Sequence, residues 1–544
     1  MSLQMDANPV TFSNHKDVFS GLRKYNSPLW DIIIIGGGIT GAGVLREAVR
    51  RGYRCLLLEQ QDFSWGSSSR SSKMIHGGLR YLAAGDWRLT RESLSERERL
   101  LKELPGLVER IDYYLTLKRG QRPGRLAVGL LLALYDWIAK ITNRQFVVAD
   151  ALIAHFSGLT STRLIGAYRY TDAMTDDCRL VLRLLQESMA DGGYALNYTP
   201  VEDLLIENAM VTGVVLTDPE TQAPLNVRAH VVVNATGAWA DHLRNRVNPE
   251  KRIRPLRGSH LVIAAERAPV KDVLAFFHHQ DNRGVYIYPW EGRTVIGTTD
   301  LDHNAPLHHE PCISQDEVEY LCAGFNSQFR DEPLKRSDII STWAGVRPVI
   351  GADRTKNPSK ERRDHAIWQD QGLVTVSGGK LTTFRPIALD IFKTIGQRHP
   401  APSRQSLPPM FGVPNVAPDR LIPNAPAWGQ ILLGRYGPHA EKLVGIARDH
   451  ELTPLSGSNF CLAECRWAAR HESIQHLDDL LLRRTRLGLL LPDAGAEIFP
   501  EIEKICSEEL GWSLPQWTHE RERYQAIYQR YYSLPTEFHD NAET

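Results

Sequence analysis

The sequence predicts an α/β fold in which a parallel sheet, an antiparallel β region and a helical C-terminal part share one 544-residue chain. Three observations support this class. An isoleucine-rich strand at residues 31–35 runs into a glycine turn, alternating strands fill residues 259–299, and helical apolar spacing follows a proline-rich stretch. A chain of this length divides into roughly two to four domains.

The first element is a complete βαβ unit. Residues 36–41 read GGGITG, a Gly-x-Gly-x-x-Gly turn, between the strand at 31–35 and a helix with an apolar stripe. Gly36 permits the tight turn, Gly38 lets the backbone approach a pyrophosphate, and Gly41 lets helix and strand pack closely. Such a turn alone carries little information. With both flanking elements present it predicts dinucleotide binding at the helix N-terminus.

The second strand of the unit, residues 55–58, ends on Glu59. A carboxylate about twenty residues beyond the glycines accepts hydrogen bonds from the adenosine ribose. A serine run follows at residues 67–73. By itself such a run is a solvated loop, but this one adjoins a glycine pair and a basic-aromatic cluster, which favours a loop lying along an extended flavin cofactor.

The segment 68–82, SSRSSKMIHGGLRYL, resembles the signature of the FAD-dependent glycerol-3-phosphate dehydrogenases, the aerobic, quinone-linked kind. Later segments carry the same resemblance, which covers most of the chain. The resemblance implies a Rossmann-like FAD-binding domain of the glutathione-reductase/D-amino-acid-oxidase type, an antiparallel β substrate cap and a C-terminal α-helical domain. It also implies peripheral attachment to a membrane that holds quinone.

Composition excludes several classes of function. Formal net charge is zero, so attraction for an anionic substrate must come from a local cluster, and no nucleic-acid footprint is present. Seven scattered cysteines argue for a reducing compartment, and Cys461 and Cys465 are interpreted as buried thiols rather than metal ligands. Residues 1–30 lack the pattern of a secretory signal. We therefore expect a cytoplasmic protein that binds no metal. A peripheral position on the inner face of the cell membrane and a homodimeric state both remain open.

Residues 125–140 form an apolar stretch that is too short for a bilayer span, which needs about twenty residues. Two interpretations remain. The first and favoured one is a buried helix. The second is a monotopic patch with Tyr135 and Trp137 at the interface and Arg125 and Lys140 towards lipid headgroups.

An aspartate-rich turn at residues 172–177 precedes an amphipathic helix, and helix capping is preferred over catalysis for these acids. Residues 230–239 read as a parallel strand followed by Ala-Thr-Gly. Gly237 stands at the carboxyl end of that strand, where ligands collect in open α/β sheets.

Residues 250–335 read as an antiparallel substrate cap. His260 lies in a strand within Arg-Gly-Ser-His, close to the Lys-Gly-Ser-His of the family. A lone histidine on a strand is usually structural, and the resemblance alone makes it a catalytic candidate. Tyr288 stands where the family is expected to have an aliphatic residue, which leaves the exact substrate open.

The chain then returns to the flavin domain. Arg347 is expected in a turn made rigid by Pro348, and residues 373–383 repeat the order strand, glycine pair, helix start. A helix N-terminus aimed at the flavin ring stabilises the negative charge of reduced flavin.

Prolines between residues 400 and 426 mark a linker, and a helical domain follows. The arginines at 483–486 are interpreted as a solvated or membrane-facing surface. The predicted domains are a discontinuous FAD-binding domain at 28–105, 165–245 and 340–398, a cap at 106–164 and 246–339, a linker at 399–428 and a helical domain at 429–544.

The function implied is oxidation of sn-glycerol 3-phosphate to dihydroxyacetone phosphate, with the hydride passing to FAD N5 and the electrons to a quinone. His260 is the expected general base, Arg347 polarises the forming ketone, and Arg80, Arg347 and Lys380 supply cations for the phosphate beside Tyr81. The expected cofactor contacts are Gly36, Gly38, Ile39, Thr40, Gly41, Glu59, Ser68, Ser69, Ser71, Ser72, Lys73, His76, Gly77, Gly78, Leu79, Gly237, Gly378, Gly379, Lys380, Leu381 and Thr382.

Two alternatives remain open. One is an oxidase that passes electrons to O2 from glycerol 3-phosphate or an amino acid, since arginine binds carboxylate as readily as phosphate. The other is a flavin-binding module without turnover, against which the expected convergence of Arg80, Arg347, Lys380 and His260 argues.

Overall fold

The computed structural model describes residues 15–24, 29–83, 85–139, 143–159, 162–330, 332–351, 364–396, 399–402 and 406–535, with the side chains of Lys24 and Arg80 outside the description. The described strands are β1 (Trp30–Ile35), β2 (Cys55–Leu58), β3 (Met74–Ile75), β4 (Val108–Lys118), β5 (Gln145–Val148), β6 (Leu164–Thr175), β7 (Tyr194–Leu196), β8 (Asp203–Glu207), β9 (Met210–Thr217), β10 (Pro224–Asn234), β11 (Ile253–Ala264), β12 (Val273–Phe277), β13 (Gly284–Trp290), β14 (Arg293–Gly297), β15 (Leu301–Asp302), β16 (Ile339–Ile350), β17 (His365–Asp370) and β18 (Leu373–Gly378).

The described helices are α1 (His15–Lys24), α2 (Ile39–Arg50), α3 (Leu79–Ala83), α4 (Trp87–Glu103), α5 (Arg125–Ala139), α6 (Ala149–His155), α7 (Asp177–Ala190), α8 (Ala240–Arg244), α9 (Gln315–Asn326), α10 (Phe384–Ile395), α11 (Pro418–Leu421), α12 (Pro426–Tyr436), α13 (Ala440–Ile446), α14 (Leu462–His471), α15 (Leu487–Leu490), α16 (Phe499–Leu510) and α17 (Leu514–Tyr531). A π-helical turn, Asp479–Arg484, precedes α15.

The first sheet has the strand order β17-β18-β10-β1-β2-β7, and β18, β10, β1, β2 and β7 run parallel. Its strands are apolar on both faces because α2, α7 and α10 cover one side while the β8–β9 hairpin and α1 cover the other. The carboxyl ends of β1, β10 and β18 therefore meet at one edge, where the glycine turns that follow them lie side by side.

The second sheet follows the order β15-β11-β14-β13-β12-β4-β6-β3, and its described pairs are antiparallel except β12 with β4. One face packs on the C-terminal helices and the other on α6 and α9. The predicted boundaries assign β6 and β16 to the FAD-binding domain, but both strands pair within this second sheet. The sequence does not indicate a strand at β6, and Arg347, expected in a turn, lies within the strand β16. Pairing with distant strands of this sheet determines both elements, and local sequence does not show such pairing.

The arginines of the C-terminal domain correct another expectation. Arg483, Arg484 and Arg486 are buried, not solvated or membrane-facing. Arg483 and Arg484 both pair with Asp62, which lies just beyond β2. The predicted buried state of Cys461 and Cys465 is confirmed. The helical domain thus docks on the nucleotide-binding half through buried ion pairs.

The apolar helix α5 has two different faces. Val128, Leu132 and Tyr135 are buried, whereas Leu126, Leu130 and Trp137 are 83%, 73% and 73% exposed. Tyr135 does not lie at a membrane interface, because its hydroxyl donates to the buried carboxylate of Asp172 at 3.1 Å. The buried-helix interpretation therefore holds for one face, and Lys140 lies outside the described residues.

Candidate active site

A cavity of about 810 Å³ lies between the two sheets. It begins at the carboxyl ends of β1 and β10, passes the serine run and ends between α5 and the β12–β13 hairpin. Most residues of the predicted nucleotide motifs line this space, together with Arg347 and Lys380. The topology therefore brings together segments from the whole length of residues 36–382.

The glycine turn after β1 is closed tightly against its neighbours. Gly36 has φ +110°, and a Cβ there would lie 2.7 Å from the carbonyl oxygen of Ala235, the residue that follows the neighbouring strand β10. A Cβ at Gly41 would lie 1.9 Å from the Gly36 oxygen. Gly41 is absent from the cavity wall and acts through packing, as its position in the motif predicts.

Glu59 is placed at the same edge by β2. Its Oε2 accepts a hydrogen bond from the Gly37 N–H at 2.6 Å, and its Oε1 accepts one from the Gln61 N–H at 2.9 Å. Burial raises the pKa of this carboxyl, while those N–H groups act in the opposite direction. The carboxylate is thus fixed in the cavity wall beside the glycine turn.

The serine run divides into residues that face the cavity and residues that do not. Ser68, Ser71 and Ser72 line the cavity. The Ser68 hydroxyl accepts from the Ile39 N–H at 2.9 Å and so holds the start of α2. Ser69, expected among the cofactor contacts, is 4% exposed and absent from the wall.

Lys73 also departs from the expectation. Its side chain is fully buried, and its Nζ lies 2.8 Å from Asp177 Oδ1 rather than in the cavity. Burial lowers the pKa of Lys73 to about 8 although Asp177 opposes that shift. The partner lies 104 residues further along the chain, so local sequence cannot reveal the pairing.

The glycine pair beyond the serine run, Gly77 and Gly78, is held in place by a hydrogen bond to Asp172. Gly77 donates its N–H to Asp172 Oδ1 at 2.9 Å and is absent from the cavity wall, whereas His76, Gly78 and Leu79 line it. Asp172, for which the sequence favours helix capping over catalysis, therefore also lies at the site. The true cap of α7 is Asp176, whose carboxylate accepts from the Cys178 and Arg179 N–H groups.

The remaining predicted cofactor residues lie together on the cavity wall. They are Ile39, Thr40, Gly237, Gly378, Gly379, Lys380, Leu381 and Thr382. Lys380 Nζ stands 3.4 Å from the centre of the Tyr81 ring and donates to Ser93 Oγ at 2.9 Å. A cation over an aromatic face is stabilised by the ring quadrupole. The Arg80 side chain lies outside the described part of the chain.

Arg347 is joined at the cavity wall by a second arginine that the sequence did not suggest. Arg347 Nη1 lies 3.4 Å from Asp300 Oδ1, and Arg283 Nη2 lies 2.8 Å from Asp300 Oδ2. Asp300 is 3% exposed and lies between the two guanidinium groups. Arg283 lies in the turn between β12 and β13, and its charge was the only feature of the sequence that could have indicated it. A charged residue in a turn does not indicate which distant residue it contacts, so the ion pair with Asp300 was not predictable.

His260 lies behind the cavity wall rather than on it. The residue is 1% exposed, and its ring stacks on Trp343 with centroids 4.8 Å apart. Its Nε2 lies 2.9 Å from Ser72 Oγ, and its Nδ1 has no hydrogen-bond partner among the described residues. Burial, with smaller contributions from Arg347 and Lys73, holds the pKa of His260 well below its usual value.

Tyr288 does not reach the cavity. The side chain is fully buried in the core between the second sheet and the C-terminal helices, and Tyr286 lines the cavity instead. The tyrosine that replaces the expected aliphatic residue at position 288 therefore affects core packing behind the site rather than the cavity wall.

These residues fit an FAD. The glycine cradle of Gly36 and Gly38 leaves room where side chains would fill the turn, and the α2 N-terminus favours an anion. Glu59 supplies an acceptor at the ribose position of such motifs. Gly378, Gly379 and Thr382 continue the wall of the same cavity beyond them.

Comparison with known proteins gives the same assignment. Residues 31–385 match a family model described as FAD dependent oxidoreductase, and residues 422–516 match the C-terminal domain of alpha-glycerophosphate oxidase. The chain is 33% identical over 530 residues to glycerol-3-phosphate dehydrogenase 2 of Mycobacterium tuberculosis, covering 93% of this chain and 89% of that protein. It is 35% identical over 375 residues to the aerobic glycerol-3-phosphate dehydrogenase of Bacillus subtilis, covering 68% and 67%.

A solved structure has the same fold. The glycerol-3-phosphate dehydrogenase of Bacillus halodurans complexed with FAD superposes with a TM-score of 0.76 at 23% identity, covering 95% of this chain and 98% of that one. With the cradle, the cavity and these relatives considered together, the chain belongs to the FAD-dependent oxidoreductases and, among them, to the glycerol-3-phosphate dehydrogenase family.

Proposed function

We propose that this protein oxidises the secondary alcohol of sn-glycerol 3-phosphate to dihydroxyacetone phosphate and passes the electrons to a quinone. The observation that carries the proposal is the cavity that joins the glycine cradle to Arg347 and Ser72. Two relatives at 33% and 35% identity bear the name glycerol-3-phosphate dehydrogenase, which supports the same substrate.

The phosphate has cationic donors available on the wall. Arg347 and Arg283 present fork-shaped guanidinium groups on either side of Asp300, and forks of this shape bind phosphate oxygens in pairs. Lys380 adds a further cation beside Tyr81, and Arg80 is proposed to contribute as well. Because the net charge of the chain is zero, this local cluster would supply the attraction for the substrate.

The proton of the substrate hydroxyl needs a base, and His260 is the proposed one. Its imidazole is held neutral in the resting protein by burial, which lowers its pKa, and its Nε2 lies 2.9 Å from Ser72 Oγ on the cavity wall. Arg347 would polarise the forming ketone. Bound FAD supplies the acceptor for the hydride that leaves carbon 2.

Proposed contacts to the FAD are the predicted residues that line the cavity. They are Gly36, Gly38, Ile39, Thr40, Glu59, Ser68, Ser71, Ser72, His76, Gly78, Leu79, Gly237, Gly378, Gly379, Lys380, Leu381 and Thr382. Gly41 and Gly77 would act by packing, and Lys73 by holding the loop through Asp177.

The quinone and the membrane contact are supported by α5. Val128 and Leu131 of this helix line the far end of the cavity, while Leu126, Leu130 and Trp137 project outwards. No helix within the described residues is long and apolar enough to cross a membrane. A helix with one apolar face on the cavity and another on the surface suits an acceptor that arrives from lipid.

An oxidase is the second candidate, because the family model matched at residues 422–516 is described from alpha-glycerophosphate oxidase. The two functions differ in the acceptor. We would incubate the FAD-loaded protein with glycerol 3-phosphate and a short-chain quinone, with and without O2, and measure dihydroxyacetone phosphate and peroxide. Quinone-dependent product without peroxide supports the dehydrogenase. Stoichiometric peroxide supports the oxidase, and the absence of product under both conditions contradicts the proposal.

A further inference from the structure

His260 and Ser72 stand in series between the protein core and the cavity. Ser72 lines the cavity, whereas His260 is 1% exposed and absent from the cavity wall. The Ser72 hydroxyl and His260 Nε2 are 2.9 Å apart, within the range of a direct hydrogen bond. A group in the cavity therefore meets the serine before it meets the histidine.

The position of Ser72 is fixed on both sides. Its neighbour Ser71 gives both its N–H and its hydroxyl to Asp177 Oδ2, at 2.9 and 2.7 Å. The other neighbour, Lys73, adopts φ +61° and sends its Nζ to Asp177 Oδ1 at 2.8 Å. With Asp177 binding the residues before and after it, Ser72 has little freedom to turn away from His260.

The imidazole is equally constrained. His260 lies in β11, which has β14 on one side and β16 on the other. Its partners in these two neighbouring strands are Gly297 and Trp343. A Cβ at Gly297 would lie 2.2 Å from His260 Cδ2, so the ring occupies the space that a side chain would fill. Its plane is 17° from that of Trp343. These contacts hold Nε2 towards Ser72, and Nδ1 faces no described hydrogen-bonding group.

We propose that Ser72 relays the hydroxyl proton of the substrate to His260. This inference rests on the proposed function. The O–H bond at carbon 2 breaks as its proton passes to Ser72 Oγ, while the proton of Ser72 moves to His260 Nε2. The freed O–H electron pair forms the C=O bond, and the C–H electron pair leaves as the hydride accepted by the cofactor. Serine ends as it began, and the histidine becomes an imidazolium.

The relay makes a demand on the resting protein. Ser72 must donate to Nε2, so the neutral His260 must carry its hydrogen on Nδ1. Nitrogen-15 NMR of histidine-labelled holoprotein reads the tautomer directly, with a His260→Gln variant assigning the signal. We expect an unprotonated Nε2 and a protonated Nδ1. A protonated Nε2 in the resting protein would overturn the relay, whatever the activity.

Substitution gives an independent test on the FAD-loaded protein, by anaerobic bleaching of the flavin with glycerol 3-phosphate. Ser72→Ala, compared as FAD-loaded protein at saturating glycerol 3-phosphate, should slow the bleaching about 10²-fold or more, the usual contribution of a proton-transfer group. Ser72→Thr keeps the hydroxyl and should recover most of the rate. Ser188→Ala is the control, because that buried hydroxyl bonds only the Leu184 carbonyl of its own helix in the described contacts.

The outcomes separate the two proposals. If Ser72→Ala bleaches as fast as the unsubstituted protein, the relay is wrong, while the proposed function stands. If glycerol 3-phosphate bleaches neither protein, the proposed function itself has failed. A solvent deuterium effect reporting two protons in motion, reduced to one in Ser72→Ala, would further support the relay.

Discussion

At the scale of single residues, Gly41 shows how a missing side chain builds the cofactor site. A Cβ there would lie 1.9 Å from the Gly36 carbonyl oxygen, which is a backbone atom and cannot move aside as a flexible side chain could. We expect Gly41→Ala to open the turn and to weaken FAD binding at least tenfold. The control is Gly445→Ala, also in a helix, where a Cβ meets nothing within 4 Å. Flavin fluorescence during reconstitution measures both affinities, and equal values would contradict the account.

Arg283 is a residue whose role sequence alone did not suggest. If it helps to hold the phosphate with Arg347, Arg283→Met should weaken binding of glycerol 3-phosphate by about 10- to 100-fold, since hydrogen bonds to charged groups contribute about 1.5–3 kcal/mol. FAD content should not change. Arg228→Met removes a similar cation whose pair with Glu207 lies on the surface and should leave binding unchanged. Substrate titration of the flavin spectrum would decide, and equal affinities in both variants would exclude Arg283 from the phosphate site.

At the scale of elements, the segment between the π-helical turn and α15 reaches back to the serine run. Arg486 binds both Asp176 and Asp177, at 2.9 and 2.5 Å, and its partner Asp177 also holds Ser71 and Lys73. Burial alone would raise the pKa of Asp176, but Arg486 outweighs it and lowers the pKa to about 2. The stabilisation from this carboxylate is therefore present above pH 3.8 and is lost as the pH falls towards 2.

Breaking this contact should destabilise the protein strongly. Arg486→Met leaves two buried carboxylates without their cation, and we expect a loss of about 3–5 kcal/mol in the free energy of unfolding. The surface pair of Arg448 and Glu508 is the control, and Arg448→Met should cost no more than about 1 kcal/mol. Denaturant unfolding compares the two. A similar small loss in both would mean that the helical domain does not hold the serine run.

The outer face of α5 carries the membrane proposal. Leu126→Ser and Leu130→Ser together should weaken binding to vesicles that contain anionic lipid, because about 25 cal/mol per Å² of apolar burial is lost. Leu514→Ser, which removes a 67% exposed leucine from α17, serves as the control. Cosedimentation with the vesicles is the measurement. Unchanged binding of the α5 variant would place the membrane contact elsewhere on the molecule.

At the scale of the whole molecule, the contiguous motifs were predictable and the long-range pairs were not. The glycine turn, Glu59 and the strand-glycine-helix order at residues 373–383 are encoded within short windows, since each needs only its own neighbours. Lys73 with Asp177, and Arg483 and Arg484 with Asp62, join residues far apart in the sequence. Charge patterning cannot tell a buried pair from a solvated one, so both arginines were assigned to a surface.

The same limit applies to the site. Alternation along β11 indicated that His260 lies in a sheet, but not that Ser72 would stand between it and the cavity. Tyr288 was suspected of altering the substrate, and its place in the core behind Tyr286 depends on how the second sheet packs against the C-terminal helices. Both facts require the tertiary arrangement.

The most direct measurement is the anaerobic visible spectrum of the FAD-loaded protein before and after addition of glycerol 3-phosphate. Glycerol, glycine and a D-amino acid serve as controls, because they lack the phosphate that Arg347 and Arg283 are proposed to hold. The account predicts that the flavin band bleaches with glycerol 3-phosphate and persists with the controls. A band that persists with glycerol 3-phosphate, or that bleaches with an amino acid instead, would contradict it.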